Sequence, residues 1–191
     1  MQVFNNALGQ GFSVEADLRF KQSKVILAHD QQGIYSYAED VAGLLRLMHR
    51  YPHSYFALHL KEDKEELFKK AARAVQPHAN AFLFVTDFGQ HNFLNIASQL
   101  LGPKQLALYV TGLIVDAELL KMVDYLWLDQ TRQKLYGRLS NLLNLNKKMI
   151  LCSPELFMRR YKRSLLAFKK ILRLRQKPFG ICTDLSSNYK P

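Results

Sequence analysis

The strongest constraint on what this chain can fold into is a recurring pattern: short apolar runs that end in polar residues, with helical segments between them. The runs are FSVEAD (12–17), SYFALHLK (54–61), AFLFVTD (81–87), QLALYVT (105–111), DYLWLD (124–129), KMILCS (148–153) and FGICTD (179–184). Each has the length and composition of a strand. The segments 63–75 and 131–145 read as helices, as does 38–51, where Val41, Leu44, Leu45 and Met48 recur at helical spacing. A final helix starts at Ser153, with Pro154 in its first turn and Glu155 against the helix dipole. Phe157, Tyr161, Leu165, Phe168 and Leu172 form its apolar stripe, and Pro178 ends it. Strands alternating with helices define an α/β architecture.

The beginning of the pattern differs from the rest. Phe12, Val14 and Ala16 alternate with Ser13, Glu15 and Asp17, so a period of two puts Glu15 and Asp17 on one face of a strand. KVILAHD (24–30) follows after only RFKQSK, a gap too short for a helical crossover, so the two runs are expected to form an antiparallel hairpin. Without the return arm of that hairpin there are seven candidate parallel strands. A closed TIM-type (β/α) barrel has eight.

The 191 residues suit one domain, residues 1–191, and 48% hydrophobic content suits one sizeable core. The opening MQVFNNALGQ lacks the basic and apolar regions of a signal peptide, and no apolar run approaches the roughly 20 residues that span a bilayer. Cys152 and Cys182 sit in apolar, strand-like stretches, which suits reduced, buried thiols in a cytoplasmic protein; the alternative is a single disulfide. A net charge of +11 attracts anions: nucleic acid, a membrane surface or a phosphorylated substrate. Much of it lies late in the chain, in Arg159, Arg160, Lys162, Arg163, Lys169, Lys170, Arg173, Arg175 and Lys177. The solvated face of a helix accounts for that run more simply than specific binding does.

Chemistry concentrates where the strands end. Glu15 and Asp17 end the first, His59 and Lys61 the next, and Asp87, Asp129 and Asp184 close later ones. In a barrel the carboxyl ends of the strands converge on one rim. Two carboxylates, histidine and lysine on a common rim suit a divalent cation and a phosphate. Each residue also has an ordinary reading: an aspartate after a strand is often a helix N-cap, and Trp127 fits a core as well as a rim. His49, His53, His78 and His91 fall in helical or loop sequence and read as surface residues.

GFSVEADLRFKQSKVILAHD resembles the glycerophosphodiester phosphodiesterase pattern of a Glu-x-Asp strand, a short turn and an apolar strand ending in His-Asp. FALHLKED falls where that family carries a Glu-x-Lys strand, and FGICTDLSS resembles its closing strand. LCSPELFMRR with the Cys-Thr-Asp ending is similar to an uncharacterised bacterial branch of the same superfamily. The resemblance implies a (β/α) barrel in which Glu15 and Asp17 hold a divalent metal, Mg²⁺ or Ca²⁺. It implies His29 as general acid and Lys61 on the phosphate; Asp30, Asp87 and Trp127 are further candidates for a substrate-binding rim, with a core position favoured for Trp127.

Two departures stand out. The family's first strand, with its His-Arg-Gly segment, has no counterpart ahead of FSVEAD, where MQVFNNALGQ corresponds to the end of the first helix. Either the natural chain carries that strand upstream or the barrel has seven strands, whose two exposed edges would offer a route to a homodimer. In addition, His59 replaces the third-strand glutamate and becomes the expected third metal ligand, although imidazole is a poor partner for Ca²⁺ or Mg²⁺. The expected function is metal-assisted hydrolysis of a small phosphodiester if the first strand is present. The alternatives are a non-catalytic barrel that binds a phosphorylated ligand and, third, nucleic-acid binding through the basic C-terminal helix.

Overall fold

The computed structural model describes residues 1–28, 39–86, 89–110, 115–129, 145–153, 156 and 180–183. A helix α1 (Gln2–Gly9) leads into β1 (Val14–Lys21), which turns back as β2 (Lys24–Leu27). A two-residue β3 (Glu39–Asp40) precedes α2 (Val41–Arg50). Strand and helix then alternate through β4 (Phe56–Leu60), α3 (Glu65–Val75), β5 (Ala81–Val85), α4 (Gln90–Ala97), β6 (Ala107–Val110), α5 (Ala117–Lys121) and β7 (Tyr125–Leu128). The last two strands are β8 (Lys148–Cys152) and β9 (Gly180–Cys182).

Each of the seven runs read as parallel strands contains one, and their order follows the chain. β1, β4 and β5 pair in parallel, as do β6, β7, β8 and β9, and a parallel bridge between Leu83 and Leu106 joins the two sheets. The hairpin is antiparallel as expected, but β1 runs on through Leu18–Lys21 instead of stopping at Asp17. Gln22 and Ser23 both take positive φ, 48° and 62°. Such a two-residue turn matches the twist of the strands it joins, so pairing continues up to the turn. β2 therefore covers the far half of the β1 edge that a hairpin-free reading would leave exposed.

Period-two alternation sorts the side chains onto two faces. Leu58, Leu60, Leu83, Val85, Leu108, Leu126 and Leu151 point outward into the main core, against Leu44, Met48, Leu67, Phe68, Phe93 and Leu94 of the helices. Ala57, Phe82, Phe84, Ala107, Tyr125, Trp127 and Cys152 form a second cluster on the inner face. α3 shows why these segments are helical: Glu65 and Glu66 complement the dipole in the first turn, Arg73 does so in the last, and Leu67, Phe68, Ala71, Ala72 and Val75 make one buried stripe.

Amide side chains tie the ends of α2 and α3 to a later strand. Asn80, at the start of β5, donates through Nδ2 to the carbonyls of Met48, Tyr51 and Ser54 at 3.0–3.2 Å. Gln105, before β6, donates through Nε2 to Val75 and His78 at 3.0 and 3.1 Å. Both satisfy carbonyls that a helix end leaves without an internal partner. The expected helices 131–145 and 153–177 fall outside the described residues, apart from Leu145, Ser153 and Leu156. Among the described residues no helix is long and apolar enough to cross a membrane.

Candidate functional site

Register between β1 and β4 assembles the site. Glu15 is the Cα partner of Ala57, and Asp17 that of His59, so both carboxylates and the imidazole lie on the inner face of adjacent strands. The Lys61 N–H donates to the Leu18 carbonyl at 3.0 Å, extending the ladder one residue beyond β4. That places Lys61 two positions above His59 on the same face.

One oxygen organises the cluster. Asp17 Oδ1 lies 2.9 Å from Lys61 Nζ and 3.2 Å from His59 Nδ1, and the same His59 nitrogen is 4.0 Å from Glu15 Oε1. The Asp17 and His59 side chains are 9% and 10% exposed, Lys61 is 21% and Glu15 31%. Burial pushes the Asp17 carboxyl up in pKa. The hydrogen bond from His59 and the charge of Lys61 outweigh that effect and hold it below the ordinary carboxylate value. Asp17 is thus an anion at any physiological pH, with a histidine and a lysine already on it.

His59 is held from behind by aromatic stacking. Its ring lies parallel to Phe84 at 4.6 Å, and Phe84 lies parallel to Trp127 at 4.4 Å. Tyr109 is parallel to both His59 and Phe84 at 6.4 Å, and its hydroxyl donates to the buried Asp129 carboxylate. A cleft of about 240 Å³ opens beside the carboxylates between α1, β1 and β2, lined by Phe4, Glu15, Ala16, Asp17, Leu27 and Ala28.

Of the residues singled out from the sequence, Glu15, Asp17, His59 and Lys61 come together, and Trp127 is buried in the aromatic stack behind them. His29, Asp30, Asp87 and Asp184 lie outside the described residues. Sequence reasoning overlooked Phe84 and Tyr109, although the alternation of AFLFV and ALYV already put both on the face shared with His59.

Glu15, Asp17 and His59 each offer a ligand atom, all within 4.8 Å of one another. Two carboxylate oxygens and one imidazole nitrogen fit a cation that accepts mixed donors, such as Zn²⁺ or Mn²⁺, better than Mg²⁺ or Ca²⁺. Lys61 already pairs with the Asp17 carboxylate, so a bound cation would share that group with its ammonium.

Fold and site together define an α/β protein with a sequential ribbon of parallel strands and an acidic, lysine-bearing cluster on their inner face. No family model matches the chain, and no curated protein matches it. Among solved structures it is similar to the glycerophosphodiester phosphodiesterase from Agrobacterium tumefaciens str. C58, with a TM-score of 0.60 and 12% identity over 94% of this chain and 88% of that one. At that identity the likeness establishes a shared fold, a TIM-type arrangement of parallel strands and outer helices.

Proposed function

We propose that this chain binds a small phosphodiester at the Glu15–Asp17–His59–Lys61 cluster and belongs functionally with metal-assisted phosphodiesterases. The observation that carries the reading is the cluster itself: carboxylates, imidazole and lysine on one face of adjacent strands, on a fold shared with a glycerophosphodiester phosphodiesterase. Glu15, Asp17 and His59 would hold the cation, which when bound supplies charge to polarise a phosphoryl oxygen. Lys61 then exchanges the Asp17 oxygen for a phosphoryl oxygen and neutralises charge that builds there during displacement. Phe84 and Trp127 keep the His59 ring in one orientation, so its nitrogen stays aimed at the carboxylates. His29 is the proposed general acid toward the leaving alkoxide. Two free cysteines favour a cytoplasmic setting.

A second reading has its own support. Lys61 and His59 already balance Asp17 without a cation, an arrangement suited to a barrel that holds a phosphorylated ligand and does not cleave it.

One experiment separates the two. The protein is incubated with glycerophosphocholine and, in turn, Zn²⁺, Mn²⁺, Mg²⁺ or Ca²⁺, while phosphomonoester release and melting temperature are followed. Cation-dependent release that is lost in Glu15→Ala and Lys61→Ala supports hydrolysis. A raised melting temperature without release supports the binder. Neither release nor a shift with any cation removes both readings.

A further inference from the structure

Two thiols that phosphodiester chemistry does not use meet on the inner face, at the carboxyl ends of β8 and β9. Cys152 and Cys182 are direct Cα partners in the parallel register, and the Ser153 N–H donates to the Cys182 carbonyl at 2.8 Å, pinning the pairing at that point. Neighbouring strands lie roughly 4.8 Å apart, inside the Cα separation of roughly 4.4–6.8 Å that a disulfide can span. Both are free thiols. They differ in access: Cys152 is 2% exposed, whereas Cys182 is partly open to solvent.

We propose that Cys152 and Cys182 form a redox-active dithiol on the inner face of β8 and β9, which low-molecular-weight disulfides such as oxidised glutathione convert into a reversible cross-strand disulfide.

The exchange has a fixed order. Cys182, the accessible thiol, loses its proton to solvent and attacks one sulfur of oxidised glutathione. The reagent's S–S bond breaks, one glutathione leaves as the thiolate and takes up a proton, and Cys182 carries the other. Cys152 then loses its proton, attacks the Cys182 sulfur and expels the second glutathione. Two protein thiols are oxidised by two electrons, and one oxidised glutathione is reduced to two molecules of the thiol. The hydrogen bond to Cys182 and burial push the Cys152 thiol well up in pKa, with further contributions from the charges of Cys182, Asp129 and Glu15. Cys152 is therefore a poor first nucleophile and acts only within the mixed disulfide.

Parallel partners keep their Cβ atoms about one strand spacing apart, wider than the roughly 3.5–4.5 Å of a relaxed bridge. The product is strained and easily reduced, which is the behaviour of labile disulfides. A thiophilic cation is the other chemistry a dithiol accepts, but among the described residues the group of three potential ligands is Glu15, Asp17 and His59, and it includes neither cysteine. The dithiol alone falls short of the four ligands that structural zinc takes.

The test uses the reduced, native, full-length chain. It is treated with oxidised glutathione, then alkylated with N-ethylmaleimide and weighed by mass spectrometry. The wild type should lose both alkylatable thiols and retain no glutathione, and reduced glutathione should restore both. Cys152→Ser should trap one glutathione on Cys182, and Cys182→Ser should react about tenfold more slowly or not at all. Two alkylated thiols in the treated wild type overturn the proposal, as does glutathione that persists on wild-type Cys182. Protection of both thiols by Zn²⁺ alone, without oxidant, reassigns the pair to a metal and overturns it too. The wild-type outcomes decide the matter even if a serine variant fails to fold.

Discussion

Replacing Asp17 with asparagine removes the charge on which the cluster turns. Asp17 Oδ1 sits 2.9 Å from Lys61 Nζ and 3.2 Å from His59 Nδ1, with its side chain 9% exposed. Taking one partner out of a buried ion pair costs about 3–5 kcal/mol. Lys61 is 21% exposed and its ammonium can turn toward water, which brings the expected loss to about 2–3 kcal/mol. Urea unfolding followed by circular dichroism should show a lower midpoint at pH 7 with an unchanged slope. The loss should also depend on pH. Because the folded state holds the Asp17 carboxyl below its ordinary value of 3.8, the unfolded chain binds that proton more tightly. The stabilisation is therefore complete above the unfolded value and disappears as pH falls through the folded one. Wild type and Asp17→Asn should differ at pH 7 and converge in strong acid. Adding Lys61→Met to the variant should cost less than the sum of the two single changes, with a coupling of about 1–2 kcal/mol. Equal stability at pH 7, or a gap that persists unchanged at low pH, refutes the charge-pair account.

Three further outcomes follow from the same geometry. His59→Glu should raise Mg²⁺ and Ca²⁺ affinity about tenfold and weaken Zn²⁺ by isothermal titration calorimetry, because hard cations take carboxylate oxygen; unchanged affinities would show that position 59 is not a ligand. Phe84→Ala empties the fully buried ring position between His59 and Trp127, and urea unfolding should register a loss of about 3–5 kcal/mol. Asn80→Ala leaves three carbonyls around the end of α2 without their shared donor, which should lower stability by about 1–3 kcal/mol and speed amide exchange first in Met48–Ser54.

Strand identity was legible because it is local. Length, apolar content and period two placed β4 through β9 within a residue or two of their observed ends but stopped β1 four residues short, and the short RFKQSK gap already demanded a hairpin. The same alternation put Glu15 with Asp17, and His59 with Lys61, on common faces. What alternation does not carry is register. Asp17 faces His59, 42 positions further along the chain, only because β1 and β4 align Val14 with Phe56. That is why the ion pair between Lys61 and Asp17 was not foreseen. Two cysteines allowed one disulfide on sequence alone, but that Cys152 and Cys182 are direct cross-strand partners was hidden for the same reason, since it needs β8 and β9 in one register. The positive-φ turn escaped notice because Gln22 and Ser23 are not the asparagine–glycine pair that announces such a turn.

The aromatic stack behind the site gives the protein an internal optical reporter. Trp127 is the sole tryptophan of the chain, and a single ring, Phe84, separates it from His59. Its emission therefore comes from one known place, a dry layer against the imidazole, with no other indole to dilute it. Water entering that layer shifts the emission to the red. A ligand that reorients His59 shifts the Phe84 ring and so alters the emission, even before any bond is broken. The cluster can thus be followed in the unlabelled protein, with stopped-flow mixing giving the rate at which it responds.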